Sequence, residues 1–255
     1  MKDLFNISGQ AAVVTGGSSG IGFMIARGLV ENGVKTYITA RKVEQLNAAA
    51  EALSEYGECI AIPADLSGLT GIEHFAAAVL EQEPKIDILI NNAGANWAAP
   101  YEEFPESGWD KVMDINIKSV FFVTQKLLPG LRAAGSEADP ARVVNIASIH
   151  GVVNPQFPTY AYSASKGGLI HLTKHMGADL APMHINVNGI APGFFPSKMT
   201  ASLMEEEEKV VGQQPIPRTG RPEDIAGTAI YLCAPASNYM CGHTVVLDGG
   251  LVAGS

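Results

Sequence analysis

A tyrosine and a lysine four residues apart form the part of the sequence best suited to proton transfer. Tyr162 and Lys166 stand at the two ends of the run Tyr-Ser-Ala-Ser-Lys. On an α-helix, side chains at this spacing project from the same face, so the phenol and the ammonium would be neighbours. A free tyrosine hydroxyl has a pKa of about 10, which is too high for a proton relay at neutral pH. A positive charge beside it favours the phenolate, and a pKa lowered by about 3 corresponds to about 4 kcal/mol. We therefore expect Tyr162 to act as a general acid or base that Lys166 activates.

A glycine-rich run near the N-terminus argues against the alternative, in which this pair lies on an ordinary amphipathic helix. Residues 15–22 read Thr-Gly-Gly-Ser-Ser-Gly-Ile-Gly and follow a short apolar stretch. Such a turn between a strand and a helix lets the backbone approach a pyrophosphate and directs free amides at it. The glycine spacing differs from the common G-x-G-x-x-G, so a tight turn without a ligand is the alternative. The candidate phosphate contacts are Gly16, Ser18, Ser19, Gly20, Ile21 and Gly22.

Short β-rich runs alternate with longer helical patterns along the chain. The strands and helices that they predict must position the Tyr162–Lys166 pair and the glycine-rich run. We predict strands over Ala11–Thr15, Val34–Ala40, Cys59–Pro63, Ile86–Ile90, Arg142–Ile146, His184–Ile190 and Thr244–Leu247. We predict helices over Gly20–Asn32, Val43–Gly57, Leu69–Gln82, Trp109–Leu131 and Tyr160–Leu180. Nearly continuous hydrophobicity is typical of strands that are covered on both faces of a parallel sheet. The pattern predicts an α/β fold: a doubly wound, Rossmann-type, seven-stranded parallel sheet with helices on both faces, in a single domain over residues 1–255.

Two local signals refine this prediction. The run Thr70-Gly71-Ile72-Glu73 resembles a capping box and agrees with the helix predicted there. The least regular stretch is 192–214, with two prolines, two phenylalanines and the acidic run Glu205–Glu208. Long irregular segments beside a site are often lids, so we expect a substrate lid here.

Composition and charge restrict the class of protein. Hydrophobic residues make up 47% of the chain and charged residues 17%, which is typical of a globular domain. The formal net charge of −9 argues against a nucleic-acid partner. Three cysteines without a C-x-x-C pair fit a reducing compartment. The sequence before Gly9 lacks the apolar stretch of a signal peptide, and no window approaches the roughly 18 apolar residues of a membrane span. We expect a cytoplasmic protein without a membrane partner.

Four motifs in order give the chain a family resemblance. They are T-G-x-x-x-G-x-G at residues 15–22, Asn-Asn-Ala-Gly at 91–94, Ser148, and Y-x-x-x-K at 162–166. With these motifs the chain resembles the short-chain dehydrogenase/reductase family over almost its whole length. Within that family it is most similar to 3-oxoacyl-thioester reductases, especially the rhamnolipid-biosynthesis branch. The runs that carry this closer similarity are 62–66, 107–109 and 191–200.

The resemblance implies a catalytic role for four residues. Tyr162 would exchange the proton with the substrate oxygen, and Lys166 would lower the tyrosine pKa and hold the nicotinamide ribose. Ser148 would hydrogen-bond the substrate oxygen, and Asn116 would organise a water chain leading to the lysine. Ser148 could instead cap the turn that follows its strand, and Asn116 could be an exposed helix residue.

The same resemblance implies further contacts to a dinucleotide. Asp65 and Leu66 would contact the adenine, although Asp65 could also be a loop or cap residue. Ser197 stands where the family usually has a threonine at the nicotinamide carboxamide. The remaining contacts that it implies are Asn92, Ala93, Gly94, Pro192 and Gly193.

Two adjacent cations indicate which dinucleotide binds. Arg41 and Lys42 follow the second predicted strand, where an acidic residue would bind the ribose of NAD. A charge-assisted hydrogen bond from Arg41 to a 2′-phosphate would contribute about 1.5–3 kcal/mol. The alternative is an ordinary basic pair at the start of a helix. We expect NADP(H).

These observations together predict an NADP(H)-dependent reductase of a carbonyl, with a 3-oxoacyl thioester as the expected substrate and a secondary alcohol as the product. The alternatives are a dehydrogenase of a sugar, polyol, steroid or aromatic alcohol, and a non-catalytic dinucleotide-binding regulator. Five apolar residues of the candidate lid suit either an acyl chain or simple packing: Phe194, Phe195, Met199, Leu203 and Met204. His171 and His175 have metal-binding spacing but no third ligand nearby, so we expect no metal. The family implies a homotetramer with the Tyr162 helix at a subunit interface.

Overall fold

The strands form one parallel sheet. The structure is a computed structural model that describes residues 3–154, 157–196, 211–212 and 214–254. Its strands are β1 (Ala11–Thr15), β2 (Lys35–Thr39), β3 (Cys59–Ala61), β4 (Ile88–Asn91), β5 (Ala141–Ile146), β6 (Ile185–Pro192) and β7 (Thr244–Leu247). Their order is β3-β2-β1-β4-β5-β6-β7, and every neighbouring pair is parallel. The predicted seven-stranded, doubly wound sheet is therefore confirmed, with the strand order reversing between β1 and β4.

Helices cover both faces of the sheet. They are α1 (Gly20–Glu31), α2 (Val43–Ser54), α3 (Leu69–Gln82), α4 (Glu106–Met113), α5 (Ser119–Ala134), α6 (Tyr160–Leu180) and α7 (Pro222–Cys233). A π-helical turn, Asp114–Lys118, joins α4 to α5. The helix predicted over Trp109–Leu131 is thus one helical rod that contains a wide turn.

The alternation of side chains along the strands separates two apolar cores. Ala12 and Val14 on β1 pack with α1, α2 and α7, whereas Val13 between them packs with α3, α5 and α6. All three side chains are fully buried. Each large aliphatic side chain buried in this way contributes roughly 1.5–3 kcal/mol to folding. The two cores pack against opposite faces of the sheet.

The helix starts agree with the sequence-based prediction except at α4, which begins at Glu106 and not at Trp109, and at α7. Helix α3 has the predicted bounds, but the capping box predicted at Thr70 is wrong, because Gly68 precedes the helix and makes no side-chain cap. Helix α7 was not among the predicted helices, although its start carries a cap: the Asp224 carboxylate accepts a hydrogen bond from the Arg221 N–H at 2.7 Å. Among the described residues, none of the helices is both long enough and apolar enough to span a membrane.

Candidate active site

A cavity of about 420 Å³ opens at the carboxyl edge of the sheet, where β1, β4, β5 and β6 end. Ligands of open α/β sheets bind at this edge, beside the point where the strand order reverses. Fifteen of the predicted site residues line the cavity: Gly16, Ser18, Ser19, Gly20, Ile21, Arg41, Lys42, Asn92, Ala93, Gly94, Ser148, Tyr162, Lys166, Pro192 and Gly193. The volume lies in the usual range for small-molecule and cofactor sites.

The glycine turn adopts a backbone that other residues rarely tolerate. Gly16 and Gly20 have φ angles of 68° and 56°, in the left-handed region that favours glycine. The Gly16 N–H donates to the Thr39 carbonyl at 2.8 Å, which ties the turn to β2. Ser19 precedes α1 without a side-chain cap, so the first amides of this helix have no side-chain partner. Free amides and the helix dipole together suit a phosphate group.

Asn92 braces this turn from the neighbouring strand. Its amide nitrogen donates to the carbonyls of Thr15 (2.9 Å) and Gly16 (3.2 Å). The Thr15 hydroxyl accepts from the backbone N–H groups of Asn92 (2.9 Å) and Ala93 (3.0 Å). Gly22 lies behind the turn and outside the cavity lining, where a Cβ would collide with the Asn92 amide. Gly22 therefore allows close packing of α1 onto the turn.

A basic corner closes the cavity beside β2. Arg41 and Lys42 line it together with Gln45, whose amide nitrogen donates to the Ser18 carbonyl at 3.3 Å. Gln45 was not predicted, although it follows Lys42 by three residues, in the first turn of α2. Hydrogen bonds from Ser67, and then the charge of Arg41, hold the pKa of the Asp65 carboxyl below its usual range.

Asp65 and Leu66 lie near this corner but do not line the cavity. Asp65 is exposed and accepts a hydrogen bond from the Ser67 N–H at 3.0 Å, so it acts as a loop residue in this structure. Leu66 is buried in the apolar core on the α3 side of the sheet.

Ser148 and Tyr162 bring two hydroxyl groups together. Ser148 follows β5 and caps the 3-10 turn Ile149–Gly151, where its Oγ accepts from the His150 N–H at 3.2 Å. It also shares a hydrogen bond with the Tyr162 hydroxyl. Tyr162 is half-buried, and its side chain lines the cavity. Burial raises the pKa of Tyr162, and the hydrogen bond with Ser148 acts in the opposite direction.

Lys166 lies one helical turn beyond Tyr162, with only 4% of its surface exposed. Its Nζ donates to the Ile146 carbonyl at 2.7 Å and lies 5.6 Å from the centroid of the Tyr162 ring. Burial lowers the pKa of Lys166 to about 8. The expected net lowering of the Tyr162 pKa is wrong, because burial of the phenol dominates in this structure. The four-residue spacing places the two groups together as predicted, but burial raises the pKa of Tyr162, where a lower pKa was expected.

Asn116 lies in the π-helical turn and is fully buried, which excludes the surface alternative. Its Oδ1 accepts from the Ala95 N–H at 2.8 Å, and its Nδ2 donates to the Ala95 carbonyl (3.0 Å) and to Ser165 Oγ (2.9 Å). The Ser165 hydroxyl in turn donates to the Tyr162 carbonyl at 2.7 Å. Asn116 thus ties the loop after β4 to the turn of α6 that carries Tyr162 and Lys166. Wide helical turns of this kind occur often at functional sites.

Part of the candidate lid cannot be compared with the prediction. Ser197, Met199, Leu203, Met204 and Glu205–Glu208 lie outside the described residues. Of the described lid residues, Phe195 is buried and lines the cavity, whereas Phe194 borders a neighbouring space of about 120 Å³.

The two helical histidines lie away from this cavity. His171 and His175 are exposed on α6, and His175 approaches Asp179 at 3.5 Å. The described residues contain no group of three or more His, Cys, Asp or Glu side chains that could hold a metal ion.

The cavity therefore combines two chemical capacities. One end presents free amides and cations that suit the phosphates of a dinucleotide. The other end presents two hydroxyls and a buried ammonium that suit proton transfer at an oxygen atom.

Known proteins with similar sequences are oxidoreductases by name. The sequence profile described as short chain dehydrogenase matches residues 10–208. The rhamnolipids biosynthesis 3-oxoacyl-[acyl-carrier-protein] reductase of Pseudomonas aeruginosa is 46% identical over 253 residues, which cover 98% of this chain and 99% of the relative. The 5-keto-D-gluconate 5-reductase of Escherichia coli K12 is 34% identical over 256 residues, 99% of each chain.

Solved structures give the same result. The Pseudomonas aeruginosa RhlG/NADP active-site complex superposes with a TM-score of 0.95 at 45% identity, over 99% of this chain and 100% of that chain. A gluconate 5-dehydrogenase from Burkholderia cenocepacia, in complex with NADP and tartrate, superposes with a TM-score of 0.91 at 30% identity, over 98% of each chain. This chain belongs to the short-chain dehydrogenase family.

Proposed function

We propose that the protein is an NADP(H)-dependent reductase that converts a 3-oxoacyl thioester to the secondary alcohol. The observation that carries this proposal is that Ser148, Tyr162 and Lys166 line the same cavity as the glycine turn and the basic corner. Phosphate binding and proton transfer therefore act on one bound assembly. When bound, the dinucleotide supplies the hydride.

Different residues of the cavity bind different parts of the dinucleotide. The free amides at the start of α1 hold the pyrophosphate, and the left-handed glycines let it approach closely. Arg41, Lys42 and Gln45 receive the additional phosphate that distinguishes NADP(H). A guanidinium is suited to this task because its N–H groups match two phosphate oxygens at once. Lys166 holds the hydroxyls of the nicotinamide ribose.

The ionisation of Tyr162 and Lys166 suits the reductive direction. Burial raises the pKa of Tyr162, so the phenol keeps its proton near neutral pH and can donate it to the substrate oxygen. Ser148 donates a second hydrogen bond to that oxygen. The phenolate left behind is stabilised by Lys166, which is charged below its pKa of about 8. Asn116 and Ser165 keep this turn of α6 in place.

Two observations bear on the substrate. The 46% identical relative from Pseudomonas aeruginosa carries the name of a 3-oxoacyl reductase. A second candidate is the reduction of a keto sugar acid, because several relatives at 32–34% identity are named for gluconate derivatives. The higher identity makes the 3-oxoacyl compound our first choice.

A substrate panel separates these candidates. NADPH consumption would be followed with a 3-oxoacyl thioester, 5-keto-gluconate and a simple ketone, each repeated with NADH. We expect the highest kcat/KM with the thioester and NADPH. A higher kcat/KM with 5-keto-gluconate would establish the second candidate. Tight NADPH binding without turnover of any substrate would instead indicate a regulator.

A homotetramer in the cytoplasm, with α6 at a subunit interface, completes the proposal. Light scattering coupled to size-exclusion chromatography would measure the mass of the assembly. A mass of one or two chains of 26.8 kDa would contradict this part of the proposal.

A further inference from the structure

His150 lies beside the two hydroxyls, and the proposed reaction leaves its imidazole unused. His150 belongs to the turn Ile149–Gly151, and its backbone N–H donates to Ser148 Oγ at 3.2 Å. Gly151 presses the same turn onto α6, since a Cβ at Gly151 would come within 2.7 Å of the Gly167 nitrogen. The position of His150 is therefore fixed by the elements that form the catalytic end of the cavity.

The imidazole borders the phenol outside the dinucleotide cavity. Its ring meets the Tyr162 ring edge to face, with centroids 5.9 Å apart and an interplanar angle of 86°. The Phe157 ring lies 6.1 Å away from it at 36°. Ser148 and Tyr162 line the 420 Å³ cavity, whereas His150 does not. A substrate whose oxygen reaches both hydroxyls while the dinucleotide fills this cavity must approach from outside it, where His150 lies.

The imidazole is equipped to bind such a substrate. His150 is half-buried, and the described part of the chain shows no side-chain hydrogen bond to its ring. Burial lowers its pKa, so the ring is neutral at pH 7 and offers one donor and one acceptor. A simple ketone has one oxygen, which Ser148 and Tyr162 occupy. A 3-oxoacyl compound has a second carbonyl oxygen two carbons away, and that oxygen needs a donor.

We propose that His150 donates a hydrogen bond to the second carbonyl oxygen of a 1,3-dicarbonyl substrate and so selects 3-oxoacyl compounds over simple ketones. The inference rests on the proposed function, since it assumes that the first carbonyl lies at Ser148 and Tyr162. It gives His150 a role in substrate recognition, separate from the proton transfer itself.

The test compares kcat/KM for two substrates in wild type and in His150→Phe. The substrates are a 3-oxoacyl thioester and a methyl ketone of matched chain length that lacks the thioester carbonyl. Phenylalanine keeps the aromatic contacts with Tyr162 and Phe157 but removes the donor. We expect kcat/KM for the thioester to fall about tenfold, which is the usual effect of one lost hydrogen bond, and kcat/KM for the ketone to change less than about twofold. His74→Phe, at an exposed histidine on α3, is the matched control and should change neither value.

Several outcomes would decide the matter. Equal losses on both substrates, or no loss on the thioester, would overturn the inference while leaving the proposed function intact. A wild-type protein that reduces no 3-oxoacyl compound would overturn both. His150→Leu also lacks a donor and carries the same expectation if the phenylalanine variant does not fold. NADPH affinity should stay unchanged in each variant, because His150 does not line the dinucleotide cavity.

Discussion

Replacing Lys166 with methionine separates the catalytic effect of the buried charge from its effect on folding. The Lys166 ammonium lies 5.6 Å from the centroid of the Tyr162 ring. With the phenolate charge placed at the ring centroid, the two charges interact with about 3 kcal/mol at an effective dielectric constant of about 20. This energy corresponds to about 2 pKa units on the phenol. Lys166→Met should therefore raise the pKa of Tyr162 further and lower kcat at pH 7 about a hundredfold.

The same substitution should leave the fold as stable as before. The pKa of Lys166 falls from the ordinary 10.5 to about 8 on burial, so the folded protein holds this proton less tightly than the unfolded chain does. Stability should rise with pH between about 8 and 10.5, and below pH 8 the buried charge costs about 3 kcal/mol. Methionine removes that cost but leaves the Ile146 carbonyl without its donor, which costs about 1–3 kcal/mol. The two effects nearly cancel, or they leave the variant slightly more stable.

The assay measures kcat by NADPH consumption and the free energy of unfolding by urea titration, both at pH 7. Lys174→Met, at an exposed lysine on the same helix, is the control and should change neither quantity. A Lys166→Met protein that loses more than about 2 kcal/mol of stability along with its activity would refute the argument. Such a loss would mean that Lys166 stabilises the fold, and that its buried charge does not destabilise the protein as inferred.

Three further results are expected from the same cavity. The reduction rate should fall as pH rises above about 8, because Lys166 then loses its charge; a pH profile of kcat that stays flat to pH 10 would contradict this. Arg41→Ala should raise the Kd of NADPH about ten- to a hundredfold with little effect on NADH, measured by calorimetry, and an equal rise for both would remove its role in phosphate recognition. Asn92→Ala should lower the free energy of unfolding by about 1–3 kcal/mol and weaken NADPH binding, because the Thr15 and Gly16 carbonyls lose their shared donor. An unchanged midpoint of urea unfolding would show that the glycine turn is stable without Asn92.

The parts of the site that could be predicted depend on short stretches of chain. The glycine turn and the Tyr162–Lys166 pair each lie within eight consecutive residues, and their spacing alone fixes how their groups are arranged. The sheet followed in the same way from the alternation of apolar runs and helical patterns. The family resemblance from four motifs is confirmed by the profile match over residues 10–208.

The parts that could not be predicted depend on distant residues. Gln45 and Ser165 gain their roles only because the fold brings them to Ser18 and Asn116. The π-helical turn around Asn116 leaves no mark in a helical pattern of side chains. The pKa of Tyr162 was predicted with the wrong sign because local spacing reports a neighbouring charge but not the depth of burial. The individual roles of the cofactor-binding residues stay predictions.

The most direct test of the account is the pair of measurements made on Tyr162→Phe. This substitution removes one hydroxyl and keeps the ring between Lys166 and His150. We predict that kcat falls by about 10²–10⁴, the usual contribution of a general acid, while the Kd of NADPH stays within about twofold of wild type. A variant that still reduces its substrate at a rate near that of wild type would show that another group, and not Tyr162, delivers the proton.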